Sequence, residues 1–527
     1  MGILSDSERA CAVALSHLTF CNPFLPERIE YERQALGEEF VESDAVWNAP
    51  ADLERERPNI ARIQHRAEHL AESARSRLLD KQSATREELD LYEDAVLYLL
   101  YYRMIEPFGQ IIGEGSSKQA SKRVESYRQF AEDFDHFLAI PQFKRPPRYP
   151  VHHLFATYFQ IRRAFHLIYE YIVGRSMPVA HLRGAVWQSV FTSDIQRYQR
   201  LLYNRMADFV TLIVGPSGTG KELVARAIGL SRYIPFDPRS LTFAEDFQGS
   251  FHPLNLSALS PTLIESELFG HRRGAFTGAL EDRAGWLEIC RPLGTVFLDE
   301  VGEIDGAIQV KLLRVLQTRT FQRLGDTQTR HFQGKIIAAT NRDLAREMHG
   351  GRMRADFYYR LCSDMIVTPS LREILHDCPD DLHNMVMFIA NRLTESAEEN
   401  PSDPLEKGRS FAEAEDIAGQ VEKWIGSHLG PDYAWPGNFR ELEQCVRNVL
   451  IRGEYWPARV PPRSAREELV EGIYAGSLTA DELLRRYCTL IQAQTHNYEE
   501  TARRLGLDRR TVKAKVTPLP PEDPPQG

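Results

Sequence analysis

Phe209-Val210-Thr211-Leu212-Ile213-Val214-Gly215-Pro216-Ser217-Gly218-Thr219-Gly220-Lys221-Glu222 is the stretch from which the fold is read. Its first six residues are apolar or β-branched, the pattern of a short strand buried on both faces. A glycine-rich turn follows, and residues 222–228 continue as a helix. A strand, a glycine turn and a helix in that order make 215–221 a phosphate-binding loop, because glycines let successive backbone N–H groups face an anion at a helix amino end. Gly215, Pro216, Ser217, Gly218, Thr219 and Gly220 form the cradle, and Lys221 is placed to reach β- and γ-phosphates. Glu222 stands where such loops commonly carry Ser or Thr. No hydroxyl is offered to Mg²⁺ there, so the metal has to lean on phosphates, water and a carboxylate from elsewhere.

Thr295-Val296-Phe297-Leu298-Asp299-Glu300 supplies that carboxylate. An apolar strand delivers two acids at its tip: Asp299 for Mg²⁺ through water, and Glu300 to polarise the attacking water. Residues 335–339 form another apolar strand, with Asn341 just beyond its tip, suited to orienting water or sensing a γ-phosphate. Strands alternating with helices indicate an α/β domain with a largely parallel sheet and a ligand site at the carboxyl ends of its strands. Arg354 and Arg360, around Tyr358-Tyr359, are candidates for the positive charge that phosphoryl transfer needs, acting across subunits if the chain forms a ring.

The chain has 527 residues, 26% charged and 43% apolar, enough for three or four domains. No apolar run is long enough for a membrane span and Met1–Ala10 is polar, so a cytoplasmic protein is expected. The seven cysteines lack any CxxC pair, which fits free thiols. A formal charge of −10 argues against wholesale coating of nucleic acid but leaves room for one small basic module. Residues 53–79, 84–102, 118–138 and 152–173 read as helices, with a proline-rich break at 141–150. His152, His153 and His166 lack partners at metal-ligand spacing and read as part of an aromatic core.

Two further stretches carry function. Gly274-Ala275-Phe276-Thr277-Gly278-Ala279 exposes a phenylalanine between small residues, costly unless it docks on something, on glycine hinges that permit a mobile tip. A buried hairpin turn is the alternative. Near the carboxyl end, 498–505 reads as a helix, Gly506 as a turn, and Asp508 as the cap of a basic helix at 509–516. That is a helix-turn-helix pattern, with Thr511 and Lys513 near base edges and Arg509, Arg510 and Lys515 on phosphates.

The central region resembles the AAA+ domain of bacterial enhancer-binding proteins, the activators of sigma-54 RNA polymerase. The resemblance rests on GPSGTGKE (215–222), ESELFGHRRGAFTGA (265–279), GTVFLDEVGEI (294–304), IAATNRDL (337–344), ADFYYRL (355–361) and WPGNFREL (435–442), in that order. In that family a glutamate after the lysine is ordinary. The resemblance implies that Asn255 switches Glu300, that Arg440 is a sensor on a helical lid, and that Arg354 and Arg360 are fingers acting in trans in a hexamer. It implies that 274–279 contacts sigma-54, chiefly through Phe276 and Thr277. The terminal unit resembles a Fis-like DNA-binding domain, with 479–494 as its dimerising scaffold. The lead-in to the phosphate loop departs from the family pattern, and 229–254 is longer than usual, which suggests an extra surface excursion. His271–Arg273 would add positive charge beside the partner loop.

The expected architecture is therefore a mostly α-helical regulatory domain (1–185), an α/β P-loop ATPase subdomain (186–370) and a helical lid (371–457). A linker (458–476), an all-α helix-turn-helix (477–517) and a proline-rich tail (518–527) complete it; 394–410 reads as a loop. The implied cofactors are ATP and Mg²⁺. The implied partners are sigma-54 polymerase, upstream DNA, further copies of the chain and an unidentified signal at the first domain, with no membrane. The function these readings favour is an ATP-driven transcription activator that opens the polymerase–promoter complex. An AAA+ remodelling enzyme with another client, and a nucleotide-gated DNA scaffold with little turnover, are the alternatives.

Overall fold

The computed structural model describes residues 2–42, 58–113, 123–141, 146–245, 251–394, 404–457, 465–474 and 476–516. It forms two compact units, Met1–Tyr455 and Trp456–Gly527. The centre of the first is a five-stranded sheet. Its strands are β1 (Thr211–Val214), β4 (Phe251–Asn255), β5 (Thr295–Asp299), β8 (Lys335–Thr340) and β9 (Asp364–Val367), in the order β4-β5-β8-β1-β9. Every pairing within it is parallel. Register decides what stands at the carboxyl edge. Asn255 pairs with Asp299 across β4 and β5, and Val214 lies beside both Thr340 and Val367.

Alternation along the strands splits their side chains between two cores. Leu212, Val296, Leu298, Ile336 and Ala338 enter one core with helices Pro261–Phe269, Gly306–Thr318 and Ala355–Leu361. Ile213, Phe297, Ile337, Ala339 and Ile366 enter the other. That second core also takes Ala164 and Ile168 from helix Val151–Tyr171, Val179 to Val190 from helix Met177–Phe191, and the helices that follow residue 371. The boundary expected at 185/186 therefore falls inside helix Met177–Phe191. Ser189 Oγ donates to Asp364 Oδ2 at 2.5 Å and Thr211 Oγ1 donates to the same oxygen at 2.9 Å, which ties that helix to the starts of β1 and β9.

The amino-terminal residues are helical, as their periodicity implies. Helices Asp6–Phe20, Glu27–Leu36, Pro58–Leu79, Arg86–Arg103, Ile105–Gly113 and Ser126–Leu138 pack with Val151–Tyr171 around a third core. Capping boxes start two of them, Ser5 with Glu8 and Thr85 with Glu88. The long bridge at 229–254 is not a surface excursion. A hairpin of β2 (Phe236–Asp237) and β3 (Thr242–Phe243) sends Ile234, Phe236, Leu241 and Phe243 into this amino-terminal core. Phe243 stacks on Phe159 at 4.3 Å, Phe236 meets Phe155 at 4.8 Å, and Val124 N donates to Leu241 O at 2.8 Å. Residues 246–250 of that bridge lie outside the described residues.

Two other expectations change. Residues 404–410, read as loop, begin helix Pro404–His428, while 395–403 lie outside the described residues. Helix Ala465–Tyr474 occupies most of the segment read as a linker. The proline-rich tail at 518–527 lies outside the described residues. In the second unit, helix Ala480–Thr495 precedes Tyr498–Leu505 and Arg509–Lys515; Gly506 turns at φ 64° and Asp508 Oδ1 caps Arg510 N at 2.7 Å. Among the described residues no helix is long and apolar enough to cross a membrane.

Replacing Phe243 by Ala removes a buried ring shared by hairpin and helix. A loss of about 3–5 kcal/mol is expected, read as a lower urea midpoint. Leu280→Ala, at a residue 84% exposed, should leave the midpoint unchanged.

Candidate functional site

The phosphate loop runs from the end of β1 into helix Lys221–Gly229. Gly218 and Gly220 sit at φ +78° and +82°, a backbone region that side chains disfavour. Thr219 Oγ1 donates to Pro216 O at 2.9 Å and pairs with Thr368 Oγ1 at 2.7 Å, fixing the loop to the segment after β9. Lys221 is buried, and its ammonium donates to Gly215 O and Pro216 O, each at 3.1 Å. Burial lowers its pKa, while Glu300 and Asp299 pull it back up. The Glu222 carboxylate turns outward to Arg226, 2.9 Å away, and so stands apart from any metal role.

The two acids at the tip of β5 differ in setting. Asp299 is half-buried, and desolvation together with neighbouring Glu300 raises its pKa. A cation brought against it would reverse that shift. Glu300 adopts φ 56°, ψ 49°, a left-handed conformation costing about 1–2 kcal/mol for a residue with a side chain. Its Oε2 accepts from Asn341 N at 3.2 Å. Asn255 bonds Asp299 rather than Glu300: its Nδ2 donates to Asp299 Oδ2 at 3.4 Å, while its Oδ1 caps Ser257 N at 3.0 Å. The direct Asn255–Glu300 bond implied by the resemblance is thus absent from this arrangement.

Helix Asn438–Arg452 closes over the loop. Phe439 N donates to Gly218 O at 2.9 Å, Asn438 Nδ2 to Ser217 O at 3.0 Å, and Arg440 Nη1 to Ser217 Oγ at 3.0 Å. A Cβ on Gly218 would lie 2.3 Å from Gly437 O. Beside the loop is a cavity of about 370 Å³, lined by Tyr171, Ile172, Val173, Phe388 and Arg440 among others. The first three were missed as site residues, since an aromatic-rich helix end reads as core. The adjoining Gly174-Arg175-Ser176-Met177-Pro178, a turn with a proline at a helix start, was the available signal. Asp381 holds that turn, accepting from Arg175 N at 2.5 Å and Ser176 N at 2.9 Å.

Arg354 pairs with Asp356 at 2.9 Å, and Arg360 is exposed on the same short helix, Ala355–Leu361. Neither bonds to the phosphate loop within this chain. The 274–279 loop is a compact turn closed by Gly274 N to Ala279 O at 2.8 Å, with Gly274 and Gly278 at φ +81° and +103°. Phe276 is only half-buried, its ring edge-on to His271 at 5.0 Å, and Thr277 is exposed. The expected positive patch shrinks. His271 is buried against Ser266 Oγ at 2.7 Å, and Arg272 is neutralised by Asp282 and Asp326, leaving Arg273. In the second unit, Arg510 and Lys513 are exposed, Thr511 is partly buried, Arg509 pairs with Glu499 at 2.9 Å, and Lys515 pairs with Asp481. No cluster of three or more metal-ligating side chains occurs among the described residues.

Residues 190–367 match the family model described as the Sigma-54 interaction domain. The chain is 38% identical over 317 residues to the transcriptional regulatory protein ZraR of Klebsiella oxytoca, covering 59% of this chain and 64% of that protein. It is 40% identical over 243 residues to the Nif-specific regulatory protein of Azotobacter vinelandii, covering 46% and 40%. The chain therefore spans less than two thirds of the length of these relatives. Among solved structures, NtrX from Brucella abortus in complex with ATP aligns over 74% of this chain and 79% of that one, at 21% identity and a TM-score of 0.38.

Gly218→Ala should weaken ATP binding by more than about tenfold in calorimetry, because the new methyl collides with the lid backbone. Gly453→Ala is the control: it shares a positive φ of +75° but has open space around it, and should lower stability by about 1 kcal/mol while leaving affinity unchanged.

Proposed function

With residues 190–367 being a Sigma-54 interaction domain, we propose that this chain is an ATP-driven transcription activator that remodels sigma-54 polymerase at a promoter. The observation that carries the reading is the sheet register. It sets the phosphate loop, Asp299, Glu300 and Asn341 at one edge, with the lid's Arg440 bonded to the loop. Lys221 and the loop N–H groups bind the phosphates, and the cavity at Tyr171–Val173 receives the base. Asp299 would hold Mg²⁺ through water, neutralising phosphate charge. Glu300, anchored by Asn341 N, polarises the attacking water.

Lys221 and Arg440 are cations of one chain that bond to the phosphate loop. Arg354 and Arg360 lie exposed on a surface helix, which supports their service to a neighbouring copy in a ring and makes the AAA+ hexamer the working form. Phe276 and Thr277 contact sigma-54, and nucleotide-driven movement of 274–279 transmits the work. Among the described residues, Arg510 and Lys513 are the cations of helix Arg509–Lys515 with no ion pair, and they lead its contact with upstream DNA. The amino-terminal helices regulate the engine through hairpin β2–β3, which lies between the phosphate-loop helix and the strand carrying Asn255. Deleting 1–185 would cut helix Met177–Phe191 and uncover part of one face of the sheet, so point substitutions are the sound test of this control.

Two substitutions separate the steps. Glu300→Gln should retain ATP binding and lose hydrolysis by at least about a hundredfold. Phe276→Ala should keep hydrolysis within about twofold yet form no open complex at a sigma-54 promoter, read by permanganate footprinting. Open-complex formation by the Phe276→Ala protein at the wild-type rate would overturn the assignment of the loop. Hydrolysis by the native chain with no open complex would overturn the reading as a whole.

A further inference from the structure

The amino-terminal region encloses a second cavity, of about 500 Å³, remote in composition from the phosphate loop. Its walls come from the end of helix Asp6–Phe20, from helices Pro58–Leu79, Arg86–Arg103 and Val151–Tyr171, and from helix Met177–Phe191 of the sheet's cover. Rings dominate the lining: Phe20, Tyr98, Tyr101, Phe165 and Trp187. Of the charged residues in the lining, Arg28 and Arg103 are matched. Arg28 pairs with Glu32 at 2.9 Å, and Arg103 pairs with Glu68 at 2.6 Å and Asp133 at 3.1 Å. Arg162 adds a guanidinium face that can lie over a ring.

An acceptor in the lining is out of balance. Gln199 lines the cavity, is 4% exposed, and its side-chain carbonyl is buried without a hydrogen-bond partner among the described residues. Leaving such an acceptor unmade is costly, and a ligand's donor would recover that cost. Gln199 sits in a π-helical turn, Tyr198–Leu202, a geometry that often marks functional positions. The turn is wired to the ATPase: Tyr198 Oη donates to Gln160 Oε1 at 2.7 Å, and Gln160 Nε2 donates to Ser231 O at 2.9 Å, just beyond the phosphate-loop helix.

We propose that this cavity is a small-molecule effector site for a neutral, planar, ring-bearing compound with a hydrogen-bond donor directed at Gln199 Oε1. Aromatic walls favour a flat apolar body by stacking. Arg28 and Arg103, already paired, have little to offer an ionic ligand, whose burial is costly. The orphan acceptor selects a donor. The volume suits a bicyclic molecule. The consequence for transcription rests on the reading above, but binding itself does not.

The test uses the full chain with 2-naphthol, which carries a donor, and 2-methoxynaphthalene, in which that donor is methylated. Binding is followed by calorimetry and by quenching of Trp187 fluorescence, with Trp187→Phe identifying the signal; neither readout needs ATP, DNA or polymerase. 2-Naphthol should bind saturably, about tenfold more tightly than its methyl ether. Gln199→Leu should bring the two within about twofold, and Ile60→Trp, which adds a ring to the cavity wall, should weaken both. Equal affinity of the two compounds for the native chain, absence of saturable binding, or binding unchanged by Ile60→Trp would overturn the proposal. Gln199→Leu is nearly isosteric and keeps the test decisive should the tryptophan variant fold poorly. Binding without transcriptional activity would count against the activator reading and leave the site intact.

Discussion

A parallel sheet buries its central strands on both faces, as β1, β5 and β8 do here between partly exposed edge strands β4 and β9. In this chain that requirement organises everything else. One face is covered by helices whose residues follow β4, β5 and β8 in sequence. The other is covered by the phosphate-loop helix Lys221–Gly229 at its centre and by helix Met177–Phe191, which precedes β1, against β9. The amino-terminal region is consequently not a tethered module beside an engine. It completes the engine's core, and hairpin β2–β3 returns the contact by entering the amino-terminal core in exchange.

That mutual burial gives a physical basis for control. The hairpin joins the helix of the phosphate loop to the strand that ends in Asn255, so the amino-terminal core grips the connection between two parts of the nucleotide site. The lid is held in a comparable way. Backbone and side-chain bonds from Phe439, Asn438 and Arg440 converge on Ser217 and Gly218, where only a glycine leaves room for the Gly437 carbonyl. The lid therefore bears on the loop residues directly, and the amino-terminal core bears on the hairpin that follows the phosphate-loop helix.

The site was legible where chemistry demands local sequence. A phosphate loop needs consecutive glycines, and the carboxylate strand needs an apolar run ending in acids, so 215–221 and Asp299–Glu300 stood out. Gly506 and Asp508 were readable for the same reason: a left-handed turn and a helix cap have their own residue preferences. Reading failed where the signal is tertiary. The 229–254 bridge looks like a surface insertion because a two-residue strand pair has almost no periodicity, and only the partner core reveals that its phenylalanines are buried. The 185/186 division failed because a shift in composition marked a boundary that the helix ignores. Asn255 was expected on Glu300, and its observed bond to Asp299 follows from strand register, which no local pattern encodes.

The sequence by itself determined the presence of a phosphate loop, its paired acids, the glycine-flanked Gly274–Ala279 turn and the terminal helix pair, since each depends on residues adjacent in the chain. Only the tertiary structure decided that the first third of the chain shares a core with the sheet, that Tyr171–Val173 border the cavity beside the phosphate loop, and that the Gln199 side-chain carbonyl has no partner among the described residues at a ring-lined cavity. These depend on burial between segments distant in sequence, where the free energy comes from surfaces meeting and not from any motif.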